Sequence, residues 1–184
     1  PLMAVPFFIL AGDLMNRGGT TVRIIGFANS LVGHIRGGLA HACVVANMIF
    51  AGISGSAVAD ASAIGSIMIP SMEKNGYDLD FSAALNSAAA TIGPIIPPSI
   101  IMVIYGVSVN VSVGGLFAAG FIPGIMLGLV LMLVVSRVSK KKNYAMSEGF
   151  SGARVKEELK SSVWALMAPV IILGGILGGV FTPT

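Results

Sequence analysis

Charged residues and cysteine are both scarce in this sequence of 184 residues. Only 10% of the residues are Asp, Glu, Lys or Arg, whereas soluble globular domains carry about 25%. Hydrophobic residues make up 55% of the chain and the mean hydropathy is +0.90, which together exclude an ordinary soluble domain. The single cysteine, Cys43, excludes an internal disulfide and a cysteine metal cluster. The composition therefore predicts an integral membrane protein.

Glycine is abundant, with 24 residues, and small residues let membrane helices approach closely. A spanning helix needs ~20 apolar residues, and segments 115–136 and 163–181 meet that length. Residues 1–16 are apolar from the first position and predict the end of a transmembrane helix that begins upstream. Because both termini lie in apolar runs, we expect an internal piece of a longer polypeptide. The fold class is predicted as all-α and multi-pass.

Two short apolar stretches within residues 38–72 are joined only by glycine and serine, in the sequence AGISGSAVADASAIGS. They predict a re-entrant helical hairpin, because irregular backbone at membrane depth is tolerated only inside protein or beside a wet cavity. Residues 17–37 mix apolar side chains with Arg23, His34 and Arg36. They predict a connecting helix along the membrane interface.

Basic residues predict the topology. Seven of the eleven lysines and arginines lie between Arg137 and Lys160, so segment 137–161 is predicted to be a cytoplasmic loop, and its basic excess is not a nucleic-acid site. If segment 81–108 crosses the membrane once, as a broken helix, all eleven lysines and arginines lie on the same side of the membrane. Two crossings would divide them four against seven, so we predict a single proline-broken transmembrane helix.

The break in that helix reads TIGPIIPPS. A proline donates no backbone hydrogen bond, so Pro94, Pro97 and Pro98 would leave the carbonyls of Ala90, Gly93 and Pro94 itself without donors in a continuous helix. A cation satisfies such carbonyls, and the next half-helix begins with a positive dipole end that suits an anion. An ordinary proline kink is the alternative, but three prolines within five residues exceed what a kink requires.

The tip of the hairpin follows the same logic. The first arm is expected to end near Gly52, and the hydroxyls of Ser54 and Ser56 can cap the second arm or hold a ligand. Asp60 lies one turn inside the second arm, where a charge should face the protein interior or water. Two roles stay open for it, a helix-start carboxylate that accepts from nearby donors and a direct ligand of an ion.

These motifs resemble a known family. GISGSAVADASAIGSIMIP followed by GPIIPPS, with ILAGDLMNRGG, HIRGGLAH and a terminal FTPT, is similar to the large membrane subunit (DctM type) of tripartite ATP-independent periplasmic (TRAP) transporters. The resemblance implies sodium-coupled, elevator-type uptake of organic acids such as C4-dicarboxylates or sialic acid across a bacterial or archaeal inner membrane. It also implies a small DctQ-type membrane subunit, a periplasmic DctP-type binding protein and two inverted repeats, of which this chain resembles most of the first.

The resemblance also implies roles for individual residues. The coupling ion Na⁺, with no other metal or cofactor, is expected at the hairpin tip and the break, with ligands from Ser54, Gly93, Ile96 and Pro98. Substrate candidates are Ser56, Thr91 and Asn86, the last with a hydrogen bond to a neighbouring helix as its alternative role. Structural roles near the site are expected for Gly52, Gly55, Asp60, Pro94 and Pro97.

An intramembrane serine protease is the rival hypothesis, because residues 52–55 match the GxSG around a rhomboid-type nucleophile. That chemistry requires a histidine within hydrogen-bond reach of Ser54. The only histidines, His34 and His41, precede the serine. His41 would lie roughly 18 Å away along a helical arm, so the sequence favours a transporter over an enzyme.

Overall fold

Helices form nearly all of the structure, a computed structural model that describes residues 4–146 and 149–180. Eight helices and no strand occur in these residues: α1 (Ala4–Arg17), α2 (Thr20–Val32), α3 (Gly38–Ser54), α4 (Ala57–Lys74), α5 (Leu79–Ala90), α6 (Ile100–Ser108), α7 (Val113–Lys142) and α8 (Gly152–Leu177). The predicted all-α class is confirmed. The first residues of the predicted span 1–16, the end of span 163–181 and the FTPT motif lie outside the described residues.

Two of the helices are long and apolar enough to cross a membrane: Val113–Lys142, with 30 residues, and Gly152–Ile176, with 25 residues, which contain 18-residue stretches with mean hydropathies of 2.5 and 1.7, respectively. The first is about 45 Å long at 1.5 Å per residue, longer than a hydrocarbon core of about 30 Å. A helix of this length that crosses the core would leave its lysine-rich end outside the apolar layer. The helix Gly38–Ser54 is apolar but shorter.

Helices α3 and α4 form a hairpin with a two-residue turn. Gly55 ends α3 in the left-handed conformation, with φ of 60°, and its N–H donates to the Ala51 carbonyl at 3.2 Å. Ser56 then caps α4, because its side chain accepts from the Ala59 N–H. Helix α3 is buried along most of its length and packs against α2, α4, α5 and α7. It is the central element around which the others are arranged.

The chain leaves the helix after Ala90 and resumes it at Ile100, which separates α5 from α6. Ser99 caps the new helix, because its hydroxyl accepts from the Met102 N–H at 3.2 Å. Three buried glycines of α7 lie one turn apart, and side chains added there would collide with the Ile95 carbonyl, with Ile96 and with Met48; these glycines are Gly120, Gly124 and Gly128. Helix α7 therefore supports the break by close backbone contact.

Helix α2 occupies part of segment 17–37, and its buried residues Thr21, Ile24 and Ala28 face the protein. It packs on α3 and on the start of α8. The Ser162 hydroxyl donates to the Arg23 carbonyl at 2.9 Å, and this contact joins the two helices. Its position at a membrane interface stays a prediction.

The prediction that residues 137–161 form one loop was wrong, because most of that segment is helical. Helix α7 continues to Lys142, where Asn143 ends it with φ of 57°, and α8 already begins at Gly152. Lysine is a good helix former, and cations near the carboxyl end stabilise the helix dipole. Between the helices, the Gly37 N–H donates to the Ala145 carbonyl at 3.2 Å and returns the chain to the start of α3.

A polar and aromatic cluster joins the α4–α5 connection to the end of α7. The Tyr144 hydroxyl donates to Asp78 Oδ2 at 2.8 Å, and Lys142 Nζ lies 2.9 Å from the same oxygen. The ring of Tyr144 also lies 4.2 Å from that of Tyr77 and 5.7 Å from that of Phe81, between centroids. Hydrogen bonds from Lys142 and Tyr144 hold the pKa of the Asp78 carboxyl below its usual value.

This cluster predicts an acid-sensitive contribution to stability. Because the pKa of Asp78 is lower in the folded state, its ion pair contributes above the pKa of the unfolded chain and is lost as the pH falls through the folded value. Lys142→Gln should therefore reduce the fall in unfolding temperature between about pH 5 and pH 3, measured on detergent-solubilised protein. Lys141→Gln is the matched control. Equal acid sensitivity in both variants would contradict the prediction.

The glycines of α7 predict a graded response to added methyl groups. Gly120→Ala should destabilise the protein by about 1–3 kcal/mol, because the Ile95 carbonyl belongs to the backbone and cannot move aside. Gly128→Ala should cost less, because the Met48 side chain is flexible. Gly174→Ala, with no atom within 4 Å, serves as the control. Thermal unfolding in detergent measures all three, and equal losses at positions 120 and 128 would disprove this ranking.

Candidate functional site

The hairpin tip touches the break directly. The Gly55 carbonyl accepts from the Ile100 N–H at 3.4 Å. A side chain at Gly55 would come 2.5 Å from the Pro98 carbonyl oxygen and 3.1 Å from Ser99 Cα. Both the positive φ and this close approach require glycine at the tip. The two interruptions in the helices therefore meet at one place, as their sequences led us to expect.

Asp60 lies between the tip and the break, with no solvent exposure. The Ser54 hydroxyl donates to its Oδ1 atom, and the Ser56 N–H donates to Ser54 Oγ at 3.1 Å. The Asp60 Oδ2 atom is buried and has no hydrogen-bond partner within the described part of the chain. A side chain at Gly93 would collide with this oxygen. A carboxylate with one free oxygen therefore lies against the break.

Backbone turns and one side chain provide hydrogen-bond donors for some of the carbonyls in the break. The Ala90 carbonyl accepts from the Gly93 N–H at 3.0 Å, and the Pro94 carbonyl accepts from the Ser99 hydroxyl at 2.7 Å. Two of the three carbonyls that we expected to be free are thus bonded, because the chain forms short turns instead of continuing the helix. Among the described residues no donor reaches the Gly93 carbonyl, so the residue that lies against Asp60 also has a free acceptor.

The other residues expected at or near the ion site differ in their contacts. Pro98 directs its carbonyl at the hairpin tip. The Ile96 N–H donates to the Ile92 carbonyl at 2.9 Å, and its side chain packs against Gly124. Gly52 lets the break and α8 approach, because a side chain there would lie 3.7 Å from the Pro97 carbonyl and 3.1 Å from Pro169.

The three substrate candidates occupy different environments. Ser56 is half-buried at the hairpin tip. Thr91 is exposed at the end of α5, and its hydroxyl donates to the Ala88 carbonyl at 2.7 Å. Asn86 is buried below the tips, where its side-chain amide donates to the Ala61 carbonyl at 2.9 Å. The structure thus shows for Asn86 the alternative role, a hydrogen bond to a neighbouring helix.

Asn47 and Asn86 form a clamp between the hairpin and α5, and Asn47 was missed in the sequence analysis. Its Nδ2 atom lies 2.9 Å from the Cys43 carbonyl and 3.4 Å from Asn86 Oδ1. The amides of Asn47 and Asn86 thereby join both hairpin arms to α5. A single asparagine in the mostly apolar helix α3 was the available signal, because a buried amide must find partners.

A cavity of about 330 Å³ lies between α1 and the hairpin tip. It was also missed, although two polar residues within an apolar segment, Asp13 and Asn16, indicated it. Helix α1 approaches the tip at Gly12, where a methyl group would lie 3.7 Å from Ser54 Cα. The polar side chains that line the cavity are Asp13, Asn16, Ser54, Ser56 and Ser62.

The protease hypothesis is not supported by this geometry. The Ser54 hydroxyl donates to Asp60. The histidine nearest to it in sequence, His41, instead has its Nε2 atom 3.2 Å from the hydroxyl of Ser136 on α7. Ser54 therefore lacks the arrangement of nucleophile and histidine base that acyl transfer requires.

Comparison with known proteins decides the family. The family described as the DctM component of the tripartite ATP-independent periplasmic transporter matches residues 1–184. The chain belongs to the DctM family. That family consists of membrane transporter permeases and not of enzymes.

Curated relatives of this DctM chain have different named substrates. It is 47% identical to the sialic acid TRAP transporter permease protein SiaT of Haemophilus influenzae over 184 residues, which is all of this chain and 30% of the relative. It is 48% identical to the C4-dicarboxylate permease DctM of Vibrio cholerae over 183 residues, 40% of that protein. It is 43% identical to the 2,3-diketo-L-gulonate permease YiaN of Escherichia coli over 183 residues, 43% of that protein. The chain spans less than half the length of these relatives.

The contacts of Ser54 predict a structural cost that is independent of any ion. Ser54→Ala removes the donor to Asp60 and the acceptor of the Ser56 N–H, and should destabilise the protein by about 1–3 kcal/mol. Ser66→Ala is the matched control, because that half-exposed hydroxyl bonds only the Ala63 carbonyl of its own helix. Thermal unfolding in sodium-free detergent measures both, and equal stability of the two variants would contradict this role.

Proposed function

We propose that this DctM chain forms half of a sodium-coupled transport site for small organic acids in the bacterial or archaeal inner membrane. It acts within a complete permease, together with a small membrane subunit and a periplasmic substrate-binding protein. The observation that carries the proposal is the Asp60 carboxylate, which is fully buried and has one free oxygen beside Gly93, a residue whose carbonyl has no donor among the described residues.

A buried carboxyl group in an apolar region stays ionised only where a positive charge compensates it. Within the described residues, the ion pairs are those of Asp13 with Arg17 and of Asp78 with Lys142. Asp60 therefore has no ion pair with a lysine or arginine side chain in that part of the chain. Na⁺ provides the charge, and unwound backbone carbonyls at half-helix ends are its usual ligands in secondary transporters.

The proposed sodium ligands come from both interruptions. Ser54 and Asp60 supply side-chain oxygens from the hairpin, and Gly93 supplies its free carbonyl from the break. The carbonyls of Ile96 and Pro98 complete the predicted set. The Pro98 carbonyl also directly contacts the tip. Among the two roles left open for Asp60, its free oxygen supports ion ligation.

Helix dipoles support an anionic substrate beside the ion. Helix α4 begins at Ala57 and α6 begins at Ile100, which donates to the Gly55 carbonyl. Two positive helix ends therefore meet where the tip contacts the break, and such ends favour carboxylates. Ser56 and Thr91 are the proposed hydroxyl contacts. The relatives named for sialic acid, C4-dicarboxylate and 2,3-diketo-L-gulonate support organic acids as the class.

The hairpin is proposed to be re-entrant and to move in an elevator-type transition. Helix α3 has 17 residues and is therefore roughly 25 Å long, which is short for a hydrocarbon core of about 30 Å. The tip, the break and α7 are in close backbone contact, which supports their movement as one unit. The basic residues at 137–142 are proposed to face the cytoplasm.

The decisive experiment is uptake of labelled organic acids into proteoliposomes that hold a full-length permease carrying these residues, its small subunit and its binding protein. Uptake should require both an inward sodium gradient and the binding protein. Asp60→Asn should abolish the sodium dependence, because it removes the buried charge that the cation balances. Asp80→Asn, an exposed residue at the start of α5, should leave it intact. Uptake that is indifferent to sodium in the unmodified permease would refute the proposed coupling.

A further inference from the structure

The cavity between α1 and the hairpin leads to the proposed ion site. Its inner wall includes Ser54, and the hydroxyl of this residue donates to Asp60. Ser54 therefore separates the cavity from the gap between Asp60 and Gly93. At about 330 Å³ the cavity is large enough to hold several water molecules, and its side chains offer them hydrogen bonds.

The polar lining of the cavity suits a hydrated cation. It consists of hydroxyls, one amide and one carboxylate, and no lysine or arginine is among the described residues that line the cavity. The carboxylate is that of Asp13, whose side chain is 52% exposed. Low-dielectric walls that carry one sign of charge raise the local concentration of the opposite ion. The cavity therefore attracts cations to the hairpin tip.

The partner of Asp13 does not block this role. Arg17 lies 2.9 Å from Asp13 one turn along α1, and 78% of its side chain is exposed. Exposed pairs of this kind are worth only about 0–1 kcal/mol. The carboxylate can therefore release Arg17 and face an incoming ion at little cost.

We propose that this cavity is the hydrated route by which the coupling cation reaches and leaves the gap beside Asp60, and that Asp13 is the carboxylate that selects cations at its mouth. The proposal rests on the proposed function, because it takes Na⁺ as the ion. It adds α1 to the transport site and gives Asp13, Asn16 and Ser62 a role in ion access.

The first test measures the charge selectivity of the cavity without any transport. Ser62→Cys is made in the full-length permease in a background without other cysteines, including Cys43→Ala. It is reacted with a cationic and an anionic methanethiosulfonate of similar size, and the ratio of rates is divided by that for free mercaptoethanol. The cationic reagent should be favoured about tenfold. Adding Asp13→Asn to the same protein should move the ratio towards one.

Ala59→Cys provides a second position in the same cavity, so a poorly folded Ser62 variant does not prevent the measurement. Failure of both cysteines to react would show that the cavity is closed to water and would overturn the proposal. A ratio that Asp13→Asn does not change would also overturn it, because the selectivity would then have another source.

The second test is the sodium dependence of uptake. Asp13→Asn should raise the sodium concentration for half-maximal uptake about threefold, because the ion is less concentrated at the tip. Asp80→Asn is again the control. An unchanged half-maximal concentration in Asp13→Asn would refute the access role. If the unmodified permease shows no sodium dependence, the proposed function fails, while the labelling ratio still decides whether the cavity selects cations.

Discussion

The contact between the hairpin tip and the break is the constraint on which the rest of the structure depends. Both segments lack regular helix in an apolar surrounding, where unpaired backbone groups cost several kcal/mol each. The structure solves this by placing the two irregular segments against each other, with the Ile100 N–H bonded to the Gly55 carbonyl. Among the described residues, neither the Asp60 Oδ2 atom nor the carbonyl of the neighbouring Gly93 has a hydrogen-bond partner, and both groups belong to the candidate ion site.

The surrounding elements hold this contact from three sides. Glycines of α7 allow the break to lie against a spanning helix, and the amides of Asn47 and Asn86 join the hairpin arms to α5. Farther away, the cluster of Asp78, Lys142 and Tyr144 connects the α4–α5 link with the end of α7. These close-packed and polar contacts hold the tip and the break against each other.

Sequence patterns indicated the local features of the site well. Glycine and serine between two apolar stretches correspond to the turn at Gly55 and Ser56, and the prolines correspond to the interruption between α5 and α6. The pattern was less informative about the polar segment 137–161. Charge marks it as water-facing, but lysines and arginines form helix as readily as loop, so its two helical ends were missed. The sequence pattern also did not predict which carbonyls of the break stay free, because the Ser99 hydroxyl that donates to the Pro94 carbonyl lies five residues along the chain.

The sequence by itself determined the membrane class, the two helix interruptions and the family, because composition and local backbone chemistry depend on residues that are adjacent in the chain. Only the tertiary structure decided what those residues do together. It placed Asp60 against Gly93, assigned Asn86 to a clamp with Asn47, and set α1 beside the hairpin tip so that Asp13 and Ser54 line one cavity. These relations depend on distances between residues up to 41 positions apart in the chain, and such distances arise from packing, which no local pattern encodes.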